Sequence, residues 1–183
     1  MSLKNGRRRI NDRRAGRESR LAVLLGAALL SCTVALAIAD RLKELQEHFD
    51  RDTHAGSKVK DLQKLGPAQF DAATQAGKAG DYNAVGLIFE KYRDNVRQAF
   101  ELLRKQEPDA DRHPGGYRQL ELEVRQGIRE VEDTLLVAPE DVRPPLEIVR
   151  KELIDMDDAL IRHLFPRRTK DPEKAPPATE PKP

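Results

Sequence analysis

The chain has 183 residues, of which 38% are apolar, 35% charged and only 4% aromatic, with no tryptophan. That supplies one modest core, and a composition led by Ala, Leu, Glu, Arg, Lys and Gln favours helices with narrow apolar seams over sheet. Lys4, Arg7, Arg8, Arg9, Arg13, Arg14, Arg17 and Arg20 against Asp12 and Glu18 place +6 of charge in residues 1–20 and, from a total of +2, leave −4 for the rest, so the body lacks the net basic face that nucleic-acid phosphates require.

From Leu21 to Ala39 there are 19 residues without a charge. As a helix they would span about 28 Å at roughly 1.5 Å per residue, close to the thickness of a hydrocarbon core. The basic arm before them stays in the cytoplasm under the positive-inside rule, which places the body on the other side. The length favours an uncleaved anchor. Ala37-Ile38-Ala39 before Asp40 is also a small-x-small site that a signal peptidase accepts, and Leu29-Leu30-Ser31-Cys32 resembles a loose lipobox that would lipidate Cys32. Thr33 to Ala39 stays apolar beyond that cysteine, unlike a lipoprotein. Cys32 is the only cysteine, so the chain holds no intramolecular disulfide.

Leu42, Leu45 and Phe49 continue a helical pattern and read as a stalk, followed by a polar hinge from Asp50 to Ser57. Val59, Leu62, Leu65, Phe70, Ala73 and Ala76 predict a helix over about Lys58 to Lys78, kinked at Pro67, with Gly77 and Gly80 available for a left-handed cap. Asp81 caps the next helix, whose seam is Tyr82, Val85, Phe89, Tyr92, Val96, Ala99 and Leu103, a strict 3-4 alternation of coiled-coil type. Glu107 to Gly116 is a predicted loop. Tyr117, Leu120, Val124, Ile128, Val131 and Leu135 form the next seam, and Leu146, Val149, Leu153, Met156, Leu160 and Leu164 the last, opened by Pro144-Pro145 and stopped by Pro166. The residues from Pro166 onward carry half of the chain's 12 prolines and almost nothing to bury, which predicts a disordered tail.

The expected fold is all-α: an antiparallel bundle of four helices, five if the stalk joins. Its parts would be a basic cytoplasmic arm (1–20), a signal peptide or transmembrane anchor (21–39), a stalk (40–57), the bundle (58–165) and the Pro-rich tail (166–183). Leu65-Gly66, Gly80-Asp81-Tyr82 and Phe89 resemble the helical hairpin of a tetratricopeptide repeat. The likeness covers about 30 residues, occurs once, and implies an αα-hairpin.

Few residues suggest chemistry. On one helix His48 would face Asp52, and Asp50 would face His54, two pairs able to approach a cation, although a third ligand is lacking. The loop containing His113, with Tyr117 and Arg118 after it, is the first candidate for a partner contact, because functional groups favour loops on rigid scaffolds. Glu152, Asp155, Asp157 and Asp158 concentrate acid on the last helix. No nucleophile elbow or phosphate loop is present, so no catalytic residue, cofactor or metal is expected. These features predict a non-enzymatic interaction module of a bacterial cell envelope. It would sit in the inner membrane through residues 21–39 with its domain periplasmic, or be released to the periplasm after cleavage. Its partner would be an envelope protein, or a second copy joined through the stalk. A chaperone-like bundle, a metal-binding protein and a small enzyme without a recognisable motif are the rival readings.

Overall fold

The computed structural model describes residues 39–166. Within them the all-α bundle is present, with no strand among the described residues. Helix α1 covers 39–51, α2 Ala55–Lys78, α3 Tyr82–Gln106, α4 Pro114–Val137 and α5 Arg143–Leu164, with a 3-10 turn at Glu140–Val142. The apolar segment, Cys32, Ala37 and the tail from 167 on lie outside the described residues, while Ala39 is the first residue of α1. No helix among the described residues is long and apolar enough to cross a membrane.

Consecutive helices alternate in direction, which gives the bundle two ends. The elbow end gathers residues 52–54, the 107–113 loop and the end of α5. The far end gathers the 79–81 turn and the 138–142 connection. The predicted seams supply the core: Val85, Phe89, Tyr92, Val96, Ala99 and Leu103 of α3 are buried, as are Tyr117, Leu120, Val124 and Val131 of α4 and Leu146, Val149, Leu153 and Leu160 of α5. Tyr82, Ile128, Leu135, Met156 and Leu164 are only partly buried against it. Helix α2 runs unbroken through Pro67.

Two local signals are realised as expected, and the structure adds a cap on α4. Asp81 Oδ1 accepts from Ala84 N at 3.1 Å as the N-cap of α3. Gly80 takes φ +78° and Asp81 N donates to Ala76 O at 2.9 Å, which closes α2 with a left-handed glycine. Ala138 N caps α4 on Thr134 O.

Two boundaries differ from the sequence reading. Helix α4 starts at Pro114, not after Gly116, because Pro at the first helical position is pre-set for the helix. Gly116 is then inside the first turn, where a Cβ would come within 2.7 Å of Leu103 Cδ2. The predicted hinge shrinks to residues 52–54, and the stalk packs on the bundle. Phe49 is fully buried, Leu42 and Leu45 lie against the core, and the Gln46 and Asn95 amides exchange two hydrogen bonds of 3.1 and 3.0 Å. Gln106 at the end of α3 fixes the elbow, accepting from Ala55 N at 2.8 Å and donating to Thr53 O at 2.7 Å. The partners of α1 (Phe49 with Lys58, His48 with Asp61, Gln46 with Asn95) recede steadily from the elbow. Helix α1 therefore lies antiparallel to α2, with its N-terminus directed toward the far end.

Candidate functional site

The residues singled out by sequence do not converge. His48 takes the buried carboxylate of Asp61 at 2.7 Å, so although Asp52 N still donates to His48 O at 3.2 Å, the side chain of His48 pairs with Asp61 and not with Asp52. His54 lies 3.9 Å from Asp52. No group of three His, Cys, Asp or Glu side chains placed to hold a metal occurs among the described residues. At the 107–113 loop His113 and Arg118 are exposed, but Tyr117 is fully buried and its hydroxyl donates to Glu107 O at 2.9 Å. It holds the loop to α4 and packs on His163, 5.8 Å away between centroids. Three of the four acids noted on α5 are engaged: Glu152 with Arg93 and Arg97 at 3.3 and 2.6 Å, Asp157 with Arg125 at 3.6 Å, Asp155 with Lys151 at 2.9 Å.

Two other features went unnoticed in the sequence. One is a polar seam inside the bundle. Tyr92 on α3 is fully buried and its hydroxyl donates to Glu123 O on α4 at 2.6 Å; desolvation and the neighbouring Glu123 and Glu130 push its pKa well up. Gln69 Oε1 and Glu123 Oε2 are buried without a partner among the described residues. Burial raises the Glu123 pKa. The folded chain therefore binds more protons than the unfolded one between the two values: the stabilisation is complete below the unfolded pKa and is lost as pH rises through the folded one. Glu123→Gln removes the ionisation, and it should stabilise the protein at neutral pH by on the order of 1 kcal/mol. That gain should shrink as pH falls into the carboxylate range. Urea unfolding at neutral and acidic pH measures it; a variant no more stable than its parent at neutral pH contradicts the assignment.

The second feature is a cleft of about 310 Å³ at the far end, lined by Ala73, Thr74, Gly77 and Lys78 of α2, Tyr82 and Val85 of α3, and Glu130, Asp133, Thr134 and Val137 of α4. Small side chains on the last turns of α2 leave the space. Val85 and Tyr82 give it an apolar floor. Val137, in its lining, is 72% exposed, so a large apolar side chain stands in solvent at its rim. Burial, with repulsion from Asp133 and Asp71, raises the Glu130 pKa against the opposing pull of Arg129. A notch at the elbow is larger, about 580 Å³, but its buried cation, Lys58, already donates to Phe49 O and Asp52 O. Of the two, the far-end cleft has the more apolar lining.

Comparison with known proteins adds nothing to this geometry: no family model matches the chain, and neither the curated proteins nor the solved structures provide a match.

Proposed function

We propose that this chain is a membrane-tethered helical interaction module of a bacterial cell envelope. Residues 21–39 hold it in the inner membrane, the bundle lies on the non-cytoplasmic side, and another protein docks at the far-end cleft. The cleft with Val137 exposed at its rim carries the binding half of this reading, because exposed apolar surface beside a concavity marks interaction sites more often than bare surface. The charge step between residues 1–20 and the apolar run supports the tethering half. The docked α1 favours a fixed presentation of the bundle, since its N-terminus is directed toward the end that bears the cleft.

The cleft volume separates this reading from a chaperone-like bundle. About 310 Å³ accepts one or two apolar side chains, which suits a defined anchor in a partner; holding unfolded clients calls for a longer groove.

A photo-crosslinking amino acid at Val137 should give a discrete adduct with another protein in living cells, and the same group at Lys105, in the elbow notch, should not. A reporter fused after Pro183 should be active only outside the cytoplasm. No adduct at Val137 would end the docking assignment, and a reporter active only in the cytosol would end the envelope assignment.

A further inference from the structure

We infer that the occupant of the far-end cleft is a cationic amphipathic segment of the partner, an apolar side chain seated on Val85 and Tyr82 with lysine or arginine flanking it. This rests on the docking reading above and assigns its chemistry. The groove comes first: Val85, Tyr82 and Val137 give it an apolar lining, and its volume of about 310 Å³ suits an anchor residue presented from a helix.

Charge then selects the partner. Glu130 and Asp133 line the cleft; Asp71 and Arg129 both act on Glu130, with opposite signs. Neither lining acid has an ion-pair partner within 4 Å among the described residues, whereas Glu152, Asp155 and Asp157 of α5 do. Helices α2 and α4 end here and α3 begins here, with Tyr82 and Val85 of its first turn in the lining, so opposed dipole ends leave the sign of the rim to the side chains. Lys78 is the one cation in the lining, and it is already placed to offset the end of α2. A net negative rim around an apolar floor favours a basic, apolar segment and repels an acidic one.

The test uses the full chain in discs of zwitterionic phosphatidylcholine, with empty discs as blank, and two labelled probes: a leucine–lysine helix of about 15 residues and its leucine–glutamate counterpart. Fluorescence anisotropy should show the lysine peptide binding about tenfold more tightly or better, with affinity falling as salt rises. The pair Glu130→Gln with Asp133→Asn, which relieves repulsion and leaves the fold intact, should weaken the lysine peptide about tenfold and flatten its salt dependence. Val137→Ser should weaken it at every salt concentration.

Equal binding of both peptides, no binding of the lysine peptide, or indifference to the charge variants overturns the proposal. So does a Val137 adduct with a second copy of the chain, which would make the cleft a self-association surface. If Val137 crosslinks to another protein while charge has no effect, the docking reading survives and the cationic assignment alone falls.

Discussion

Gly127→Ala should lower the unfolding free energy by about 3 kcal/mol, at the upper end of the usual cost of overpacking. A Cβ at this position would stand 2.2 Å from Tyr92 Cε1 and 2.7 Å from both its Cζ and its hydroxyl. The ring has nowhere to retreat: it is fully buried, bonded to Glu123 O at 2.6 Å and packed on Phe70 with centroids 4.8 Å apart. In an open helix the same substitution stabilises by up to about 1 kcal/mol, so the sign of the change is itself diagnostic. Gly86 on α3 is the internal control, because nothing lies within 4 Å of a Cβ built there; Gly86→Ala should be neutral or slightly stabilising. Urea unfolding of the two variants decides the matter. A Gly127→Ala protein as stable as its parent would refute the close approach of α3 and α4 on which the polar seam depends.

That close approach shows where sequence reading stops. The seam of α3 was legible because burial at every third or fourth residue leaves a period in the sequence, and Val85 through Leu103 fill the core as that period implies. The sequence seam of α4 puts Ile128 between Val124 and Val131, but Ile128 is only partly buried, and Gly127 is the residue turned inward against Tyr92. Sequence alone cannot name Tyr92 as the residue it meets, since that pairing is set by how two helices cross. The docking of α1 was half legible. The period of Leu42, Leu45 and Phe49 allowed a fifth helix, but its place on the bundle depends on Gln46 with Asn95 and His48 with Asp61, polar pairs between distant residues that leave no periodic trace. The cleft escaped because it is an absence of volume: Ala73 and Gly77 read as ordinary helix formers and breakers, and only the placement of α4 beside α2 turns them into a groove. The 107–113 loop, by contrast, was conspicuous for its prolines and glycines. Its aromatic, Tyr117, spends its hydroxyl on Glu107 O, in a role set by packing.

Lys58→Met should cost about 2 kcal/mol, the scale of charge-assisted hydrogen bonds lost in a buried setting, and the loss should be concentrated in α1. The ammonium of Lys58 is only 6% exposed; it donates to Phe49 O at 2.8 Å and Asp52 O at 3.1 Å and lies 4.3 Å from the centroid of the Phe49 ring. It thus satisfies the carbonyls that end α1, which helix termini otherwise leave open, and it covers the aromatic anchor of that helix. Methionine keeps the aliphatic stem and the volume but donates nothing. Hydrogen exchange in residues 39–51 should quicken by about thirtyfold, while the amides of α3 and α4 keep their protection. Uniform loss across all helices would mean that α1 unfolds only with the bundle, and unchanged exchange would mean that Phe49 and the Gln46–Asn95 pair suffice. The local outcome bears on the proposed tether. With α1 docked, its N-terminus at residue 39 is directed toward the far end, and the proposed tether would give the cleft a set orientation to the membrane. With α1 released, the cleft keeps its lining but loses that orientation. In the Lys58→Met protein the Val137 adduct should therefore weaken in cells, while the lysine peptide binds the purified chain as before.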